Sequence, residues 1–138
     1  MTHYRAPQSE RGSRMSGRRR VMIVDDSPIA LEATRAMLEE AGFDVVLCDS
    51  PIGAMLRVIN ERPDVVLVDL DMASLPGDRL IASLKSGLRT SSIPVCLYTG
   101  KDADAVREAM RRSGADAHIA KGSDAAALAL SVRRMLMR

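Results

Sequence analysis

Val21-Met22-Ile23-Val24-Asp25-Asp26-Ser27-Pro28 places a strand, an acidic corner and a helix start within eight residues. Four apolar residues in an unbroken run mark a strand covered on both faces, as in a parallel sheet. Ser27 is placed to cap a helix, and Pro28 to fill its first position, where no backbone N–H is needed. The two aspartates between them stand at the carboxyl end of the strand, where open α/β sheets bind their ligands.

The same unit recurs downstream. Ile29, Ala33, Ala36, Met37 and Leu38 form a helical stripe that Gly42 ends. Residues 43–47 predict a second strand. Ser50-Pro51 repeats the cap-and-proline start and predicts a helix to about Asn60. Val65-Val66-Leu67-Val68 is the most β-branched run in the chain and leads into Asp69. A loop over residues 71–75 precedes a third helix from near Gly77 to near Ser86. Residues 93–98 predict a fourth strand, 102–113 a fourth helix, 117–120 a short fifth strand and 123–137 a last helix. Five βα units with short connections imply a parallel sheet covered on both sides. The expected fold is a flavodoxin-like, doubly wound (βα)₅ sheet with strand order 2-1-3-4-5. In the last helix, Ala125, Leu128, Val132 and Leu136 are expected to face the sheet. Ala126, Leu130, Arg133 and Met137 form a second stripe, to be packed on a neighbouring helix or offered to a partner.

Composition sets outer bounds. With 138 residues, 46% apolar and 28% charged, the chain can build one domain with a proper core. The net charge of +2 conceals an asymmetry: residues 1–20 hold six arginines against Glu10, which leaves the rest at −3. Residues 1–19 are expected to be a disordered basic tail, with Met15 an alternative start, and residues 20–138 the folded domain. An acidic body argues against direct nucleic-acid binding. No apolar run approaches the roughly 20 residues of a membrane span, and the N-terminus lacks the apolar core of a secretory signal. Cys48 and Cys96 sit within apolar runs and read as buried, reduced thiols, so a cytoplasmic location is expected.

The strand ends carry the chemistry. Strand 1 ends in Asp25-Asp26, strand 3 in Asp69 with Asp71 two residues on, strand 4 in Thr99-Gly100 and strand 5 in Lys121-Gly122. Strands 1 and 3 are neighbours in the expected order, so carboxylates converge and repel. A hard divalent cation relieves that repulsion, and an all-oxygen donor set favours Mg²⁺. A lysine and a threonine hydroxyl beside them supply the cation and the donor that a phosphoryl group needs. Each residue alone has a plainer role, as a turn former, a cap or a solvated charge; the specificity lies in the set and its order.

Val24-Asp25-Asp26-Ser27, Val68-Asp69-Leu70-Asp71-Met72, Gly77, Tyr98-Thr99-Gly100 and Lys121 together resemble the receiver domain of bacterial response regulators of two-component signalling, in the manner of the single-domain chemotaxis regulators, over residues 20–137. The resemblance implies that Asp69 is the phosphoacceptor, supplied by a histidine kinase or a histidine phosphotransfer protein. It implies that Asp26, Asp69 and the backbone carbonyl of Asp71 hold Mg²⁺ directly and Asp25 mainly through water. Thr99 and Lys121 would bind the phosphoryl group. The domain would be a phosphoacceptor that assists its own phosphorylation and dephosphorylation rather than an enzyme. A face made of helix 4, strand 5 and helix 5 would meet an effector or a second copy.

Three positions depart from the family. Its proline four residues after the acceptor is here Ala73. The proline after its lysine is Gly122, so a trans bond and a looser loop are expected. Its switch aromatic, three residues before the lysine, is His118, which can charge near neutral pH and would make activation weaker or pH-sensitive. Two other readings stay open: a receiver-like interaction module that works without phosphorylation, and a haloacid-dehalogenase-type phosphatase echoed by Asp69-Leu70-Asp71. The chain is read as a single-domain regulator or a piece of a longer one. No nucleotide-binding glycine loop is present.

Overall fold

The structure, a computed structural model, describes residues 17–137. The expectation of a disordered tail and an alternative start at Met15 therefore falls almost wholly outside the described residues. The elements run β1 (Arg20–Val24), α1 (Pro28–Glu40), β2 (Asp44–Cys48), α2 (Ala54–Glu61), β3 (Val65–Val68), α3 (Gly77–Ser86), β4 (Val95–Thr99), α4 (Ala103–Ser113), β5 (Ala117–Ala120) and α5 (Ala125–Leu136). All strand pairs are parallel, in the order β2-β1-β3-β4-β5. The flavodoxin-like order expected from the sequence is the one observed.

Alternation along the strands divides the core into two layers. Met22, Val24, Val46, Val66, Val68, Val95 and Leu97 pack on one face with Ala54, Val58, Leu80, Ile81, Leu84, Val106 and Ala109 of α2, α3 and α4. Val21, Ile23, Val45, Val65, Leu67, Tyr98 and Ile119 pack on the other with Leu31 and Leu38 of α1 and Leu128, Ala129, Val132 and Met135 of α5. Cys48 belongs to the first layer and Cys96 to the second, so the two thiols face opposite sides of the sheet. Both are free and buried, as expected, and burial pushes the Cys48 thiol above its ordinary value. Among the described residues no helix is long and apolar enough to cross a membrane.

Several local expectations need correction. Ser50-Pro51 does not start α2. Ser50 Oγ instead accepts from Ile52 N at 3.1 Å in a turn, and α2 begins after Gly53, whose φ of +81° is open to glycine. β2 begins at Asp44 rather than Phe43, because Phe43 N still closes the end of α1 on Leu38 O. β4 begins at Val95, after Pro94. In α5 the cap is Asp124, whose carboxylate accepts from Ala127 N at 2.8 Å, while Ser123 Oγ donates back to Ala120 O. The α1 stripe is shifted: Leu31, Thr34 and Leu38 are buried, and Ile29 is 85% exposed. In α5, Ala129 and Met135 join Leu128 and Val132 in the core, whereas Ala125 and Leu136 are only partly covered. Both shifts follow from helices that sit on a twisted sheet, where the buried arc is set by the neighbouring elements as well as by hydrophobicity.

Arg20 is a further correction. Counted with a basic leader, it is fully buried. Its Nε meets Asp44 Oδ2 at 2.8 Å, its Nη1 donates to Glu61 O at 2.8 Å and lies 3.5 Å from Glu61 Oε1, and its backbone N donates to Asp64 Oδ2 at 2.7 Å. This cage ties β1, β2, α2 and the approach to β3 at the end of the sheet away from the strand carboxyl ends.

Candidate functional site

The sheet ladder continues one residue beyond each strand and so fixes the site. Register pairs Val24 with Val68, Val68 with Leu97 and Thr99 with Ala120. Beyond them, Asp69 N donates to Val24 O at 2.9 Å, Asp25 N to Cys48 O at 3.1 Å and Lys121 N to Thr99 O at 3.0 Å. Asp25, Asp69, Thr99 and Lys121 thus gather at adjacent strand ends.

Carboxylate oxygens of Asp25, Asp26 and Asp69 all lie within 4.8 Å of one another. Asp25 and Asp69 are buried and Asp26 is exposed. Lys121 Nζ bonds Asp25 Oδ2 at 2.6 Å and sits 3.5 Å from Asp69 Oδ1, with the Tyr98 ring 5.8 Å away. Asp25 Oδ1 accepts from Ser27 N at 2.9 Å, and Ser27 Oγ caps α1 through Ala30 N at 3.3 Å. Thr99 is buried, and its Oγ1 accepts from Lys101 N at 3.2 Å; it does not cap α4, which Asp102 does.

Electrostatics follow from this crowding. Burial, and then the Asp25 charge, raise the Asp69 pKa above the ordinary carboxylate value, against the pull of Lys121. For Lys121, burial acts downward, but its hydrogen bond to Asp25 and the charges of Asp69 and Asp25 outweigh it, so its pKa is raised. The donor set suits a hard divalent cation: three clustered carboxylates, oxygen atoms only, with an exposed carboxylate at the mouth.

The Asp71 side chain stands outside the cluster, pairing at the surface with Lys101 Nζ at 3.0 Å. Ala73 takes a part that its identity did not suggest. Its N–H donates to Asp26 Oδ2 at 2.9 Å, a bond that a proline there could not make. Gly77 is likewise more than a helix start. A Cβ at Gly77 would lie 2.8 Å from Asp69 C and from Leu70 Cα and closer still to Asp69 O, so only glycine lets α3 lie against the backbone of Asp69. Asp78 beside it accepts from Arg112 of α4, Nη2 at 2.7 Å and Nε at 2.9 Å. No signal in the sequence marks that pair. His118 is exposed on β5, beside Leu97 in register. Gly122 is exposed with a φ of +91°, and no cis peptide occurs among the described residues.

A groove of about 350 Å³ between α1 and β2 does not include Asp69, nor does another of about 350 Å³ at the C-terminal end of α5.

The model of the response regulator receiver domain family matches residues 21–133. Protein PilH of Pseudomonas aeruginosa is 33% identical over 117 residues, which cover 85% of this chain and 97% of that protein. The probable transcriptional regulatory protein TcrX of Mycobacterium tuberculosis is 29% identical over 118 residues, and there the chain spans only 50% of the relative. Among solved structures, the chemotaxis protein CheY4 of Vibrio cholerae superposes with a TM-score of 0.80 at 20% identity, covering 87% of this chain and all of that one. The receiver domain of a Pseudomonas aeruginosa sensor histidine kinase, with a magnesium ion coordinated in its active-site cleft, gives 0.81 at 22%, covering 88% and 100%. On this fold, this site and the family match over nearly all described residues, the chain belongs to the response regulator receiver domain family, a signalling family of two-component systems.

Proposed function

We propose that Asp69 accepts a phosphoryl group from a phosphohistidine of a histidine kinase or phosphotransfer protein, in a Mg²⁺-dependent reaction, and that the aspartyl phosphate changes how the domain binds a partner. One observation carries the reading: Asp25, Asp26 and Asp69 converge within 4.8 Å with Lys121 poised between Asp25 and Asp69. In the transfer, an Asp69 oxygen forms a bond to phosphorus as the P–N bond breaks, and the imidazole leaves with the electron pair. Asp26, Asp69 and the Asp71 carbonyl would hold Mg²⁺ directly, and Asp25 would act through water. When bound, Mg²⁺ offsets charge on the phosphoryl oxygens. Lys121 exchanges its contacts for a phosphoryl oxygen, and the Thr99 hydroxyl donates to another.

The new charge of about −1.5 to −2 biases the loops above the sheet and the face of α4, β5 and α5. Thr99 and His118 are the switch residues of this reading. In place of an inward-moving aromatic ring it has an exposed histidine, so phosphorylation should raise partner affinity less in wild type than in His118→Tyr. An equal gain in both proteins would remove His118 from the switch.

The deciding experiment is intact-mass analysis after incubation with acetyl phosphate. A gain of one phosphoryl group with Mg²⁺, lost with chelator and lost in Asp69→Asn, is expected. No gain in the wild type would favour an interaction module that works without phosphorylation, and a gain that persists in Asp69→Asn would move the acceptor elsewhere.

A further inference from the structure

α1 and α5 lie side by side on one face of the sheet, where Arg133 Nη2 of α5 donates to Ala41 O at the end of α1 and its guanidinium stacks on Phe43. Their outward ridges form one surface. On α1 it carries Ala33, Ala36 and Glu40; on α5 it carries Leu130, Arg134 and Met137. Leu130 is 48% and Met137 84% exposed. The alanines leave room for another helix to approach closely.

Charge on this surface is divided between the two helices. Glu39 and Glu40 are exposed and make no ion pair among the described residues, and Glu32 reaches only Arg35, at 3.9 Å. α5 holds no acid from Ala125 to Leu136, and Arg134 is exposed without an ion pair among the described residues. Both helices follow parallel strands, so their C-terminal ends lie at the same end of the domain. That brings Glu39-Glu40 and Arg133-Arg134 to one level. A face that is acidic along one helix and basic along its neighbour is complementary to itself under a two-fold axis: α1 of each copy meets α5 of the other, and the ion pair forms twice.

We propose that the α1–α5 face is a homodimer interface, with Leu130 and Met137 as apolar anchors and Glu40–Arg134 as the reciprocal pair. It leaves α4 free and does not depend on phosphorylation of Asp69.

Sedimentation velocity on the full chain, without Mg²⁺ or phosphodonor, tests this. The mass should rise with concentration toward twice the 15.0 kDa of one chain. Glu40→Arg and Arg134→Glu should each weaken association at least about tenfold, and the double variant Glu40→Arg/Arg134→Glu should recover most of it. Leu130→Glu should abolish it, with the circular dichroism spectrum unchanged. If a reversal disturbs folding, Glu40→Gln and Arg134→Gln in a double-mutant cycle read the same coupling. A monomer up to about 1 mM would overturn the proposal. So would a dimer indifferent to the single reversals, or one that the double variant fails to restore, since either would place the contact on another face.

Discussion

Asp69 and Gly77 show how much of this site rests on single residues. Burial and the Asp25 charge make ionised Asp69 costly in the metal-free protein. Because its folded pKa is raised, its contribution to stability is fully present below the unfolded value of about 3.9 and is lost as pH rises through the folded value. At pH 7 without metal, Asp69→Asn should therefore melt higher than wild type, by roughly 2–5 °C, and the gain should vanish as the pH falls toward 4. Lys121 has the opposite charge and the same sign of shift, so its contribution holds at neutral pH and is lost only above about pH 10.4. Gly77→Ala would force a methyl group into the Asp69 carbonyl. Overpacking of that kind costs about 1–3 kcal/mol. Displacing Asp69, the proposed acceptor, should slow labelling by acetyl phosphate about tenfold to a hundredfold. Wild-type labelling kinetics in Gly77→Ala would mean that α3 retreats without moving Asp69.

At the scale of elements, β1 is held at its two ends by opposite means. Its carboxyl end gathers like charges; its amino end buries Arg20 among Asp44, Glu61 and Asp64. Removing one partner from a buried ionic group leaves the others uncompensated, at about 3–5 kcal/mol. Arg20→Met should lower the urea midpoint accordingly with little change in slope. A change under about 1 kcal/mol would show that Asp44 and Glu61, the acids that face the guanidinium, relax toward water. In α5, Leu128 is buried and Leu130 is half exposed, two residues along one helix. Leu128→Glu should unfold the domain, whereas Leu130→Glu, compared at concentrations where the wild type is monomeric, should shift the thermal midpoint by no more than about 2 °C.

For the whole molecule, the proposed Mg²⁺ site would couple metal to stability. A ligand that binds only the folded state stabilises it by about 2.7 kcal/mol at a hundredfold excess over its Kd. Saturating Mg²⁺ should therefore raise the melting midpoint by roughly 5–10 °C. Asp26→Ala should shrink that rise while leaving the metal-free midpoint equal or higher, since a like charge is gone. A Mg²⁺ response unchanged in Asp26→Ala would take Asp26 out of the ligand set. The Asp78–Arg112 pair joins α3, which touches the Asp69 backbone through Gly77, to α4. The site and one of the proposed partner helices are thus mechanically adjacent.

The sequence by itself determined the alternation of strands and helices, the parallel sheet and its order, and the residues Asp25, Asp26, Asp69, Thr99 and Lys121 at four strand ends. Period and position encode these locally: a β-branched run makes a strand, and the residue after it must stand at the sheet's carboxyl edge. What needed the tertiary structure was everything set by approach between distant segments. Arg20 reads as one more arginine of a basic leader until Asp44, Glu61 and Asp64 fold around it. Ala73 is unremarkable until its N–H faces Asp26, and Gly77 until α3 is laid on Asp69. The buried arcs of α1 and α5, and so the exposure of Ile29, Leu130 and Met137, depend on how each helix is turned on a twisted sheet. Hydrophobic periodicity gives a helix its apolar side, but only its packing neighbours fix which residues at the margins of that side lose contact with water.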